Sequence, residues 1–160
     1  MPALAPPSPD PTSPNRTVPT ATLADAPLLR ALDASDNAIV LTNSARRVAY
    51  VNDGFTRLFG YQPAEVLGKF LSEVLLGPHS DPGLLENIRA NVRAHGQFHT
   101  DTLLYSKAGQ PRWVSLVINA SKEDTGGPGG SISILTDITL TKMHEVLQTR
   151  VLEGMVNELP

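Results

Sequence analysis

The stretch VAYVNDGFTRLFGYQPAEVLGK, residues 48–69, constrains the fold more than any other. It opens with Val48, Ala49, Tyr50 and Val51, a β-branched and aromatic run that suits a pleated, half-buried strand. The strand stops at Asn52. Asn52 or Asp53 caps the next segment by setting a side-chain oxygen on orphan amides, and Phe55, Leu58 and Phe59 recur at helical spacing. Gly60 closes that helix, because glycine enters the left-handed region without steric cost. Pro63 then fits the first turn of a second short helix, Gln62 to Leu67, which Gly68 ends. A strand feeding two short helices, each stopped by glycine, builds a cup instead of a bundle.

The flanks bound the class. Eight of the fourteen prolines fall in the first 27 residues, and residues 1–22 hold no aromatic side chain and no apolar period, so they read as a disordered tail. Prolines interrupt that tail and no apolar core follows a basic start, which argues against a secretory signal. A formal charge of −3 offers no basic field for nucleic acid. No apolar run approaches the ~20 residues that span a bilayer, so the expectation is a soluble, cytoplasmic domain. Cysteine is absent, which removes disulfides, thiolate metal sites and cysteine nucleophiles together.

In chain order, Ala26 to Ala34 is a short amphipathic helix, and it reads equally as a lid on the core or as part of a dimer contact. Ala38 to Thr42 is a strand that pairs with Val48 to Val51 as a hairpin. Phe70 to Leu76 is another short helix. Asp81 caps a longer one from Pro82 to His95, which Gly96 stops. Gln97 to Tyr105 and Arg112 to Ala120 are strands around a turn containing Gly109. Residues 121–130 read as a loop, Ser131 to Thr136 as the last strand, and Thr141 to Leu159 as a helix with a broad apolar stripe. Two strands, several helices and three strands imply an α+β fold, a five-stranded antiparallel sheet with helices over one face.

With Tyr50, Val51, Asn52, Phe55, Leu58, Gly60, Tyr61 and Glu65 to Gly68 in order, the chain resembles the PAS sensory family, including Asp137-Ile138-Thr139 before a signalling helix. The resemblance implies a tail over 1–22, a PAS sensor over 23–139 whose residues 23–36 form an N-terminal cap, and a connector helix over 140–160. Within the family the sequence is similar to the flavin-binding light-oxygen-voltage branch at Leu76 to Asp81, at Ile88-Arg89 and at Tyr105 to Trp113. Arg89 stands where that branch holds a flavin phosphate. The branch's photoreactive cysteine has no counterpart here, so a covalent photoadduct is chemically excluded. Its two asparagines and one glutamine that read the flavin edge fall at Leu104, Val114 and Leu135. Thr102, Ser115, Ser131 or Ser133 could replace them in part.

The ligand-facing set implied by the resemblance is Arg89, Lys69, Asn52, Thr102, Leu104, Val114, Leu116, Ser133 and Leu135. Arg89 and Lys69 suit phosphates, or are ordinary solvated cations. Trp113 could stack near a flavin, but strand alternation turns it away from the cup. His79 and His95 are the nearest candidates for a haem ligand, and each also reads as a surface histidine. No pair of histidines has metal-ligand spacing. Glu65, Glu73 and Glu86 are scattered, and the glycines at 126, 127, 129 and 130 lack the lysine and helix of a phosphate loop, so nothing indicates an enzyme.

The N-terminal part and connector are further similar to the sensory PAS modules of bacterial cyclic-di-GMP cyclase and phosphodiesterase proteins. That likeness implies a redox or oxygen sensor holding FAD noncovalently and regulating a covalently linked output domain. The alternatives are a haem-binding gas sensor and a cofactor-free dimerisation module. A homodimer through the N-terminal cap and the C-terminal helix is the expected assembly, with neither nucleic acid nor membrane as partner.

Overall fold

The computed structural model describes residues 26–122 and 128–157. The tail expected over 1–22 and the centre of the expected glycine loop lie outside the described residues. Helix α1 (Ala26–Ala34) precedes a hairpin of β1 (Ala38–Thr42) and β2 (Val48–Val51). The helices α2 (Asp53–Phe59), α3 (Pro63–Val66), α4 (Leu71–Leu75) and α5 (Leu84–His95) come next. The strands β3 (Gln97–Tyr105), β4 (Pro111–Lys122) and β5 (Pro128–Asp137) lead into α6 (Thr139–Asn157). The five strands form one antiparallel sheet, as the sequence implies, and their order is β2-β1-β5-β4-β3.

The cup forms as its residues dictate. Asn52 caps α2 by accepting from the Phe55 amide at 3.0 Å, and Gly60 ends the helix at φ 80°, a value that only glycine adopts freely. Pro63 opens α3, and Gln62 and Glu65 close a capping box at its start. These helices turn Phe55, Phe59, Val66, Leu75 and Leu84 onto the inner sheet face, where they meet Ala38, Val40, Leu104, Val114, Leu116 and Leu135. The turn after β3 is tied to this wall, because the Lys107 amide donates to Phe59 O at 2.8 Å.

Several boundaries differ from expectation. Helix α5 begins at Leu84, not Pro82, because the Asp81 carboxylate accepts from the Gly83 amide at 2.9 Å and holds those residues in a turn before the helix. Strands β4 and β5 run on to Lys122 and Pro128, past the limits that glycine suggested. Gly129 and Gly130 belong to β5 because a side chain at Gly130 would strike the Thr42 carbonyl, and one at Gly129 the Ser121 carbonyl. Helix α6 starts at Thr139, two residues early, where the Asp137 carboxylate accepts from the Thr139 amide at 2.9 Å.

Candidate functional site

Strand register decides which side chains face the helical wall. Thr102 pairs with Val114, Leu116 with Leu135, and Ile118 with Ser133, so these six share the inner face with Leu104, the partner of Arg112. Odd-numbered neighbours on β3 and β4 point the other way. Trp113, paired with Leu103, therefore lies on the outer face, as alternation predicts, and is 38% exposed.

The three positions aligned with an amide rim form a sealed apolar patch. Val114 and Leu135 are fully covered and Leu104 and Leu116 are 4% exposed. A void wide enough for a three-ring heterocycle would leave water-sized gaps along the side chains lining it, and Val114 and Leu135 have none. The residues present do not fit a flavin edge bound through those three positions. A ring entering here requires the α4–α5 wall to stand further from the sheet.

Polar atoms on this face are few, and their partners separate them. Ser115 lies on the outer face, with His99 Nε2 at 3.0 Å from its hydroxyl. Ser131 is 2.7 Å from the Thr42 hydroxyl, so its Oγ is engaged. Ser133 is buried on the inner face. Thr102 is 4% exposed, and its Oγ1 is buried with no hydrogen-bond partner. An unpaired buried hydroxyl costs free energy that a partner would recover.

Asn52 is corrected from ligand contact to framework. Its Oδ1 accepts from the Ile39 and Phe55 amides at 2.8 and 3.0 Å, and its Nδ2 donates to Leu32 O and Asn37 O at 2.6 and 2.9 Å. Both lone pairs and both protons are used, leaving nothing for a ligand.

Arg89 and Lys69 are not brought together. Lys69 accepts at its carbonyl from the Val48 amide, which fixes it at the β2 edge, whereas α5 packs on β3 at the opposite edge. Four strand spacings separate those edges, ~19 Å. Both cations are exposed. Nor do His79 and His95 face the core, since both are exposed, and no cluster of three metal-ligating side chains exists among the described residues.

Among the described residues two titrating groups are perturbed, and both are structural. Burial and then the hydrogen bond to Asp33, 2.8 Å away, hold the Tyr50 phenol well above its ordinary value. Glu65 is lowered by its hydrogen bond from Lys107 and then by that from the Gln62 amide, which ties α3 to the β3–β4 turn. Arg112 is the group that sequence reasoning missed. It shares the inner face with Val114, its Nε is buried without a partner, and its Nη2 donates to Gln110 at 3.2 Å. An arginine two residues before a buried valine on one strand was the available signal.

A family model described as PAS domain matches residues 36–140. A blue-light-activated histidine kinase of Brucella anthropi is 30% identical over 117 residues, which is 71% of this chain and 24% of that protein. A human voltage-gated inwardly rectifying potassium channel is 31% identical over 96 residues, 59% of this chain and 9% of the channel. A solved structure titled "Flavin Analogue Sheds Light on Light-Oxygen-Voltage Domain Mechanism" superposes with a TM-score of 0.65 at 24% identity, covering 82% of this chain and 99% of that one. The chain thus spans a quarter or less of these curated relatives, and the solved structure bears on the fold alone.

Proposed function

Because this chain belongs to the PAS domain family, we propose that it is a regulatory sensor that passes the state of its core through α6 to an output region beyond it. Helix α6 is rooted on the sheet: the Ile138 amide donates to Trp113 O at 2.8 Å and the Trp113 amide to Thr139 Oγ1 at 3.0 Å. Val114, the next residue of β4, is at the centre of the core. A rearrangement of the core therefore reaches the base of α6 through one strand. A cyclic-di-GMP cyclase or phosphodiesterase is the output class we propose.

For the input, the proposal is a flavin, FAD, held without a covalent bond and read as a redox or oxygen signal. A relative supports the choice in part, since it is named for blue light. The observation that carries it is the unpartnered hydroxyl of Thr102 on a largely apolar inner face. A bound flavin supplies redox chemistry and a chromophore. Arg89, exposed on α5, is available to its phosphates, and Thr102 and Ser133 to its polar edge.

A second reading, a cofactor-free PAS acting as a dimerisation module, is favoured by the complete coverage of Val114 and Leu135. The absorption spectrum of the purified protein separates the two. A yellow protein that releases FAD on denaturation is the expected result. Colourless protein ends the flavin proposal in favour of the second reading, and an intense Soret band would replace FAD by haem.

A further inference from the structure

The helical wall is fastened to the sheet unevenly. At its two ends backbone bonds join them: the Gly68 amide donates to Val48 O at 2.8 Å, the Lys107 amide to Phe59 O at 2.8 Å, and the Ala120 amide to Gly96 O at 2.8 Å. Between residues 70 and 95 no backbone pair among the described residues reaches the sheet, and the bonds there are local ones. Two hydrogen bonds that use a side chain take their place, both in the connection from α4 to α5 and both to the edge strand β3. The Ser80 hydroxyl donates to Leu103 O at 2.8 Å, and the Tyr105 hydroxyl accepts from the His79 amide at 3.0 Å.

The connection is shaped to lie on these two points. Ser80 Oγ also accepts from the Gly77 amide at 3.1 Å, so one hydroxyl closes the turn and fastens it. Gly77 rests against the Tyr105 ring, where a Cβ would stand 2.2 Å from the ring carbon Cδ2, an approach that only glycine permits. Between the two anchor residues of β3, Leu104 turns inward and is buried, and Leu76, beside Gly77, packs against the same core. Pro78, His79, Asp81 and Pro82 face solvent.

We infer that residues 76–83 form a latched door to the core, with the hydroxyls of Ser80 and Tyr105 as its two bolts. Both are half-buried, and releasing them breaks neither the sheet ladder nor a helix. The wall therefore leaves the sheet here at lower cost than where backbone bonds join the two. The device goes beyond the proposed input, because it governs opening of this edge of the core whether or not a ligand enters there.

Amide hydrogen exchange, resolved by NMR, tests the door in the wild type, Ser80→Ala, Tyr105→Phe and Gly77→Ala. If the bolts hold one unit, removing either makes the shared opening about fivefold more populated, and the telling amide is the one bonded to the other bolt. In Tyr105→Phe the Gly77 amide, whose acceptor Ser80 Oγ is untouched, should exchange about fivefold faster. In Ser80→Ala the His79 amide should do the same although the Tyr105 hydroxyl remains. Gly77→Ala keeps both hydroxyls and should speed the His79 amide by pushing the connection off the ring. The Gly68 amide, bonded to Val48 O in the fixed part of the wall, should keep its rate throughout. If Ser80→Ala and Tyr105→Phe each speed only the amide whose own acceptor is lost, the two bonds act separately and there is no door. Equal acceleration at Gly68 would mean that the variants loosen the whole fold, which overturns the door as well.

Discussion

Asn52 is a single side chain on which three elements converge. Its four hydrogen bonds run to Leu32 in α1, to Asn37 and Ile39 at the start of β1, and to Phe55 in α2. Only the last was legible in the sequence, because an N-cap contacts an amide three residues on, whereas the others span 13 to 20 residues to backbone groups that no spacing reveals. That is why family likeness assigns Asn52 to the ligand and the fold assigns it to the framework. Replacement by alanine removes a cap and leaves buried carbonyls and an amide unpaired. Asn52→Ala should cost ~4 kcal/mol, about 1 from the cap and 1 for each of the three long-range bonds lost. Urea unfolding measures it, and a loss below ~1 kcal/mol would mean that water replaces those bonds.

Helix α1 shows what one element needs from its neighbours. It lies against α2, and its Asp33 carboxylate accepts from the Tyr50 hydroxyl at 2.8 Å and from the Asp53 amide at 3.2 Å. The Tyr50 phenol is raised by burial and by that bond, so the folded state holds its proton more tightly than the unfolded chain does. Its contribution is whole below the ordinary tyrosine value near 10 and drains as pH climbs above it, because there the unfolded state alone has released the proton. Tyr50→Phe should therefore flatten the loss of stability with alkali above about pH 10, as followed by melting temperature. An unchanged alkaline limb would detach Tyr50 from that loss. Most element positions were readable from local signals, and the misplaced limits have two causes, one tertiary and one local. Gly129 and Gly130 look like loop residues until the neighbouring backbone of β1 and β4 fills the space where their side chains would be. The start of α5 moved through an Asp81 turn that competes with capping. The inner sheet face was legible as a set of alternating positions, but Arg112 emerged only once register joined it to Thr102.

Across the whole molecule, α6 is held at its root and uncovered beyond it. Lys142 reaches Asp101 on β3 at 3.6 Å and lies 5.7 Å from the centre of the Trp113 ring, exposed contacts that bring a modest gain. After Lys142 the described side chains of α6 are exposed, among them Met143, Leu147, Val151 and Met155, which succeed one another at four-residue intervals along a single stripe, with Leu140, 82% exposed, on the same side. A lone helix of 19 residues is marginal in water, and most helical stability comes from packing an apolar face. A second copy of the chain supplies the same stripe, which is the basis for proposing a homodimer along α6, with α1 as a further contact through its exposed Leu28. Burying one leucine or valine contributes ~1.5–3 kcal/mol, so Leu147→Glu with Val151→Glu should weaken association at least a hundredfold. Sedimentation equilibrium should show a concentration-dependent dimer in the wild type and a monomer in the double variant. The PAS core, whose buried residues lie outside α6, should keep its melting profile in that monomer. A dimer that survives both charges would take α6 out of the interface and return the assembly to α1 or the outer sheet face.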